Sequence, residues 1–294
     1  MYLNPKKLLI SEIGSNHNVD LKRCYRLIDK SKSIGCDAVK FQYFTLNTLF
    51  RTSAIKKNKA LKNMQKWELP LSFIPKISKY CKKKKILFGI SPFNLSSIDF
   101  LKKHVDFFKI ASYELIWDEL LIKCANTKKP IVISTGMADE KETQNAFNIL
   151  KKNKSKQIIF MHCVSNYPVT VQNVNLAKIE TLRKKFKVDV GFSDHTVNQD
   201  IIRRAFYKWD CRVFEFQFDL DKKGLEYKSG HCWLPNKLEN LIRSFDFDSH
   251  QYDGSGKIKP LNVEKKERMW RRDKDGFRPI LKKKSKIYEF FFIY

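Results

Sequence analysis

Short runs of apolar residues recur along the chain, and segments with helical spacing of their apolar positions separate them. Several runs are nearly continuous in β-branched and aromatic residues, which is typical of parallel strands covered on both faces. The predicted strands are residues 8–13, 38–42, 86–90, 107–111, 131–134, 158–162, 188–192 and 212–218. The predicted helices are residues 21–33, 70–83, 96–103, 117–125, 139–151, 175–186, 198–207 and 235–244.

Strand and helix alternate through about eight units, which is the number that closes a (β/α)8 TIM barrel in the α/β class. An open doubly wound sheet is the alternative, but no Gly-x-Gly-x-x-Gly turn follows the first strand. Residues 44–67 form a longer insertion after the second strand. We therefore predict a barrel domain over residues 1–246 and an irregular, basic C-terminal extension over residues 247–294.

The chain has a formal net charge of +27, from 58 Lys and Arg against 31 Asp and Glu. Such a charge is compatible with binding to nucleic acid or to an anionic membrane. The lysines, however, are spread over nearly every predicted helix, and the densest runs contain no interleaved aromatic residues. We therefore expect solvated helix faces, no nucleic-acid partner, and a positive field that favours an anionic small substrate.

The sequence also indicates the cellular compartment of the protein. It has no stretch of about 18 uncharged apolar residues, and residues 1–7 lack the apolar core of a signal peptide. Seven cysteines occur without a Cys-x-x-Cys pair, which is typical of reduced, buried thiols. We expect a cytoplasmic protein without a membrane partner.

Polar side chains stand where the predicted strands end, and in a parallel barrel these ends share one face. Lysines beside hydroxyl groups suit a phosphate, whereas a carboxylate and a histidine suit a divalent metal or acid–base work. The candidates are Glu12, Asn16, His17, Asn18, Lys40, Gln42, Ser91, Lys109, Ser112, Glu114, Ser134, Thr135, His162, Ser165, Asn166, Ser193, Asp194, His195, Glu215 and Gln217.

Some of these candidates also have an ordinary structural interpretation. Ser134 and Thr135 could cap the helix that follows, and His162 could be a buried core histidine. Glu12 is different, because an unpaired carboxylate in an apolar strand would be costly.

Seven short strings, in order and with compatible spacing, resemble the sialic acid synthase family over roughly residues 8–221. They are SEIGSNHN (11–18), DAVKFQ (37–42), SPF (91–93), KIAS (109–112), STGM (134–137), HCVSNYP (162–168) and GFSDHT (191–196). Each string alone is weak, whereas seven in order are specific. The resemblance implies a (β/α)8 barrel, here without the small antifreeze-like domain that usually follows it.

The resemblance implies a transferase that condenses phosphoenolpyruvate with an N-acetylated hexosamine, such as N-acetylmannosamine, and water. The product would be a nine-carbon 2-keto-3-deoxy sugar acid for a surface polysaccharide. The implied cofactor is a divalent metal, Mn²⁺ first and Mg²⁺ or Co²⁺ as alternatives, and the family allows a homodimer. The alternatives are an inactive or weakened sugar-phosphate-binding homologue and another phosphoenolpyruvate-dependent synthase of keto-deoxy sugar acids.

The family's site residues carry over onto matching positions. The implied catalytic residues are Glu12, Lys40 and Lys129, with both lysines on phosphoenolpyruvate. The implied substrate-binding residues are Gln42, Ser112, Glu114, Ser134, Ser165, Asn166, Ser193 and Glu226. The implied metal ligands are His195 and Gln217.

Three departures from the family pattern matter. Gln217 stands where a second metal-binding histidine is expected, and His231 could substitute for it from the following loop. Glu226 stands where an Asp holds sugar hydroxyls. The antifreeze-like domain, which supplies an arginine to a partner subunit's site, is expected to be missing, and that arginine could come from Arg268, Arg271, Arg272 or Arg278.

Overall fold

Eight parallel strands close into a barrel in the computed structural model, which describes residues 2–58 and 62–245. The strands are β1 (Leu8–Gly14), β2 (Ala38–Tyr43), β3 (Leu87–Pro92), β4 (Phe107–Ile110), β5 (Ile131–Ser134), β6 (Ile158–His162), β7 (Asp189–Asp194) and β8 (Val213–Gln217). Each strand pairs with the next, and β8 pairs with β1. The predicted (β/α)8 barrel is confirmed, and the strand ends lie within two residues of those predicted.

Helices follow the strands and cover the outside of the barrel. They are α1 (Leu21–Ser33), α2 (Leu46–Leu49), α3 (Thr52–Lys57), α4 (Ile74–Lys84), α5 (Ile98–Leu101), α6 (Asp118–Asn126), α7 (Glu140–Lys152), α8 (Lys178–Phe186), α9 (Gln199–Trp209) and α10 (Pro235–Arg243). The short helices α2 and α3 lie in the insertion after β2. No helix in the described residues is long and apolar enough to span a membrane.

Polar caps in the sequence explain where several helices begin. The side chains of Asp20 and Asn198 accept hydrogen bonds from the first turns of α1 and α9. At α7, Asp139 and Glu142 form a capping box, in which each side chain bonds the other residue's backbone N–H. These contacts satisfy N–H groups that have no partner within the helix.

The barrel interior is apolar at its amino end and polar at its carboxyl end. The inner apolar cluster consists of Leu3, Leu8, Ile10, Ala38, Phe107, Val132, Ile159, Met161 and Val213. Side chains alternate between the two faces of a strand, so the residue two positions further on also points inward. In five strands that next inward residue is polar, namely Glu12, Lys40, Lys109, Ser134 and Glu215. The change from apolar to polar sets the floor of a pocket.

The predicted C-terminal extension, residues 247–294 with Arg268, Arg271, Arg272 and Arg278, lies outside the described residues.

Candidate active site at the carboxyl end of the barrel

Two lysines and two glutamates form a buried charge cluster inside the barrel. Lys40 is ion-paired with Glu12, and its Nζ lies 4.0 Å from Glu215 Oε2. Lys109 Nζ lies 3.4 Å from Glu215 Oε1. None of the four side chains is more than 4% exposed. Because a buried charge is costly unless it is paired, the lysines and glutamates stabilise each other there.

Serine hydroxyls accept hydrogen bonds from both lysines of the charge cluster. Lys40 Nζ donates to Ser91 Oγ at 3.0 Å, and Lys109 Nζ donates to Ser134 Oγ at 2.7 Å. These bonds aim the ammonium groups, so that each lysine is held in one position within the barrel.

The glutamates of the cluster also accept hydrogen bonds from neighbouring side chains. Ser193 Oγ donates to Glu215 Oε1 at 2.9 Å. Gln42 Nε2 donates to Glu12 Oε1 at 3.1 Å. The structure thus brings together five residues that the family resemblance had placed in one site, namely Glu12, Lys40, Gln42, Ser134 and Ser193.

The cluster sets the ionisation of its own members. Burial alone would raise the pKa of Glu215, but the ammonium groups of Lys109 and Lys40 outweigh burial and lower it. Burial would lower the pKa of Lys40, and the charges of Glu12 and Glu215 raise it instead. Glu12 differs, because burial outweighs the effect of Lys40 and raises its pKa. Glu215 therefore balances the lysines, while Glu12 is the carboxylate that holds a proton more readily.

A second set of small polar groups lies against Gly136, in the loop after β5. Ser112 Oγ accepts a hydrogen bond from the Gly136 backbone N–H (3.2 Å) and lies 3.2 Å from Cys163 Sγ. A Cβ atom at residue 136 would lie 2.7 Å from Ser112 Oγ and 2.5 Å from Ser165 Oγ. Because glycine has no side chain, these hydroxyl groups approach the backbone at residue 136 closely and form a cradle of hydrogen-bonding groups with its N–H.

Gln217 ends β8, and His195 directly follows the end of the neighbouring strand β7. The register pairs Asp194 of β7 with Phe216 of β8, so the residues that follow, His195 and Gln217, are level. His195 Nδ1 bonds the Val164 carbonyl oxygen (2.8 Å), which leaves Nε2 as the lone-pair nitrogen of the neutral ring. Burial lowers the pKa of His195 to about 4, so the ring is neutral at physiological pH.

The side chains at the ends of β7 and β8 can bind a divalent ion only if the amide oxygen of Gln217 is counted among the ligands. Within residues 2–58 and 62–245, no group of three or more His, Cys, Asp or Glu side chains could hold a metal. Gln217 Oε1, however, is buried without a hydrogen-bond partner in that part of the chain. An imidazole nitrogen and an unpaired amide oxygen on adjacent strands are ligands that Mn²⁺, Co²⁺ and Mg²⁺ sites use.

Glu226 enters the pocket from the loop after β8. Its Oε1 accepts a hydrogen bond from the Ser15 backbone N–H (2.6 Å), and its own N–H donates to Asn16 Oδ1 (2.8 Å). Burial raises the pKa of Glu226 to about 7, and the charge of Glu12 adds to this increase. The same loop is fixed further by buried Arg23, which bonds Asp219 at 2.6 Å.

Two predicted residues, Lys129 and Asn166, lie away from the charge cluster, and a third, Glu114, is half-buried near it. Lys129 precedes β5, and this half-buried residue therefore lies at the opposite end of the barrel from the pocket. The assignment of Lys129 to phosphoenolpyruvate therefore has to be corrected. Asn166 is exposed, and its Oδ1 accepts a hydrogen bond from the Tyr167 N–H in a local turn. Glu114 is half-buried, and burial raises its pKa to about 7.

The family resemblance assigns no role to Lys109 and Glu215, although both stand near the ends of predicted strands. The pattern that could have found them is the period of two, because each stands two positions after an inward apolar residue, Phe107 or Val213. His162, by contrast, is a core histidine: its Nε2 bonds the Val174 carbonyl oxygen (2.7 Å).

Known proteins match most of the chain. The sequence profile of the NeuB family matches residues 27–256. An N,N'-diacetyllegionaminic acid synthase of Campylobacter jejuni is 38% identical over 230 residues, which cover 74% of this chain and 69% of the relative. A protein of the same name from Legionella pneumophila is 35% identical over 87% of this chain and 76% of its own length. The crystal structure of a sialic acid synthetase from Leptospira borgpetersenii, in complex with citrate, superposes with a TM-score of 0.75 at 29% identity over 90% of both chains.

Proposed function

Because the chain belongs to the NeuB family, as the seven strings predicted, we propose that it joins phosphoenolpyruvate to an N-acetylated amino sugar. The products are a nine-carbon 2-keto-3-deoxy sugar acid and inorganic phosphate. The observation that carries the proposal is the pair of buried lysines, each bonded to a serine hydroxyl, at the carboxyl end of the barrel. The relatives named as synthases of diacetyllegionaminic acid support the reaction class.

The lysines and hydroxyls suit an anion with several oxygens. An ammonium group has three N–H donors. Lys40 contacts Glu12 and Ser91, while Glu215 lies 4.0 Å from its Nζ, beyond hydrogen-bond distance. Lys109 contacts Glu215 and Ser134. Each lysine therefore has a donor left for a substrate oxygen. The hydroxyl groups of Ser112 and Ser165, which lie against Gly136, would supply further neutral donors. In a pocket shielded from water these contacts would hold the phosphate and carboxylate of phosphoenolpyruvate.

The bond changes follow from the substrate's chemistry. The methylene carbon of phosphoenolpyruvate attacks the sugar's aldehyde carbon and forms the new C–C bond, while the C=O π electron pair moves onto the aldehyde oxygen. Water adds to the former enol carbon, and phosphate leaves by C–O cleavage, which restores the keto group. Of the two protons of the water that is added, one ends on the aldehyde oxygen, which becomes a hydroxyl, and the other ends on the leaving phosphate. Glu12, which is ion-paired with Lys40 and has a raised pKa, suits the role of orienting that water and accepting its proton. The lysines balance the charge that collects on the leaving phosphate.

The sugar would bind on the Glu226 side of the pocket, where Glu226 and Gln42 present groups for its hydroxyls. His195 and Gln217 would hold a divalent ion, whose chemistry when bound is Lewis-acid polarisation of the aldehyde oxygen. A diacetamido-trideoxyhexose and N-acetylmannosamine both belong to the substrate class.

Phosphate release tests the proposal. The purified chain is mixed with phosphoenolpyruvate, Mn²⁺ and a panel of N-acetylated hexosamines, and we expect release that depends on one of the sugars. If no sugar supports release while phosphoenolpyruvate still binds, the second candidate function holds, which is a binding protein without turnover. The observation that favours this second candidate is Gln217 in the place of a metal-binding histidine.

A further inference from the structure

Three residues from separate segments lie around the ends of β7 and β8. His195 and Gln217 are level on the two strands, and His231 comes from the segment that follows β8. The His195 and His231 ring centroids lie 6.0 Å apart, with the ring planes nearly perpendicular at 87°. The Tyr167 ring flanks both, with centroid distances of 4.5 Å to His195 and 4.9 Å to His231.

Two of these side chains have buried polar atoms without partners. Gln217 Oε1 and His231 Nδ1 are both inaccessible to solvent, and neither has a hydrogen-bond partner in the part of the chain that the structure describes. Buried polar atoms in native proteins are nearly always bonded, so an unpaired atom on each of these two neighbouring segments indicates a ligand. The amide oxygen carries lone pairs, as does Nδ1 when Nε2 holds the ring proton, and a cation satisfies both.

We propose that His231 is the third protein ligand of the divalent-cation site and compensates for the glutamine at position 217. The inference rests on the proposed function for the identity of the cation. The centroids of the two imidazole rings lie 6.0 Å apart. Metal–nitrogen bonds are about 2.1 Å long, so one ion placed between two rings at this separation can reach a nitrogen of each. Two nitrogens and one oxygen leave coordination positions open for water and substrate, as catalytic sites require.

The segment that carries His231 is fixed to both strand ends. The Trp233 backbone N–H donates to the Gln217 carbonyl oxygen (2.7 Å). Its indole Nε1 donates to Asp194 Oδ2 (2.8 Å), and Asp194 directly precedes His195. All three ligands are therefore held by one hydrogen-bonded frame before any ion arrives, which is the preorganisation that a metal site needs.

Mn²⁺ binding, measured by the loss of the free-ion electron paramagnetic resonance signal, tests the inference without relying on turnover. The metal-stripped full chain is compared with His231→Phe, which keeps an aromatic ring against Tyr167 but removes the nitrogens. We expect His231→Phe to bind Mn²⁺ at least about tenfold more weakly, as should His195→Ala. The matched control is His104→Ala, which changes a histidine between α5 and β4, and its Mn²⁺ affinity should equal that of the wild type.

A second substitution separates the loss of a ligand from a loss of folding. Circular dichroism of each metal-free variant shows whether the fold is retained. His231→Gln supplies an amide oxygen, which should restore part of the Mn²⁺ affinity that His231→Phe loses. The inference is overturned if folded His231→Phe binds Mn²⁺ as tightly as the wild type, or if the wild type binds none. Binding that depends on His231 in a chain that releases no phosphate would support the inference and contradict the proposed function alone.

Discussion

Lys109 and Lys129 carry the same charge at opposite ends of the barrel. Lys109 is buried and bonded to Ser134 Oγ, whereas Lys129 is half-buried ahead of β5. The sequence places both next to apolar strands, and only the direction of each strand separates them. A lysine before a strand lies at the amino end, and a lysine late in a strand lies at the carboxyl end, where the pocket is.

Replacing each lysine by methionine separates their roles. Lys109→Met is expected to lower kcat/KM for phosphate release about 100-fold or more, because a positive charge on the substrate's phosphate is lost. Lys129→Met is the matched control and should stay close to the wild type. Equal losses in both variants would contradict the assignment of the pocket.

Gln217→His tests whether residue 217 is in the coordination sphere. Imidazole is a stronger ligand than an amide oxygen for the later divalent ions, so Co²⁺ affinity should rise, as titrated by visible absorbance. An unchanged affinity would place the Gln217 side chain away from the cation.

The buried carboxyl group of Glu226 makes the stability of the fold depend on pH. Burial raises its pKa from 4.5 to about 7, so between these values the folded chain holds a proton that the unfolded chain has released. Its contribution to stability is therefore present at low pH and lost as pH rises through that window. The stability of Glu226→Gln relative to the wild type should rise with pH, by up to about 3 kcal/mol.

Urea unfolding of both proteins from about pH 5 to about pH 8 measures this difference. Glu119→Gln, which changes an exposed carboxylate of α6, is the control and should follow the wild type. A constant gap between Glu226→Gln and the wild type across that range would show that Glu226 does not titrate there.

At the scale of elements, Trp233 joins the end of β7 to the segment after β8. Trp233→Phe leaves the buried Asp194 Oδ2 without the indole donor, which should cost about 1–3 kcal/mol in the free energy of unfolding. Trp209→Phe is a matched control, because the Trp209 Nε1 has no hydrogen-bond partner in the described residues. Urea unfolding of the two variants compares them, and equal losses would mean that the indole bond adds nothing.

The elements themselves could be predicted well, for a physical reason. Parallel strands covered on both faces give continuous apolar runs, and capped helices such as α7 give a polar start with a periodic apolar face. The positions of the pocket residues could also be predicted from the sequence, because the carboxyl ends of the strands share one face of the barrel. The frame that Trp233 forms could not be predicted, because its partners, Asp194 and Gln217, are separated from it in the chain and meet only after folding.

At the scale of the whole molecule, the barrel order explains why seven separate strings form one site. Each string lies within or at the carboxyl end of a different strand, from β1 to β7, and closure between β8 and β1 brings the two ends of the barrel sequence together. What the sequence could not supply is which inward residues touch. The pairing of Glu215 with Lys109 depends on side chains that cross the barrel interior.

The apolar floor at the amino end of the barrel affects the order in which two substrates can bind. Leu3 and its bond to the Gln157 side chain lie at that end, so the pocket opens at the carboxyl end within the part of the chain that the structure describes. The lysines stand within strands, whereas Glu226 and His231 lie in the loops above. If the proposed function holds, the deeper position of the lysines predicts that phosphoenolpyruvate binds before the sugar. Initial-rate kinetics should show a compulsory-order mechanism, and a random order would mean that the pocket has a second entrance.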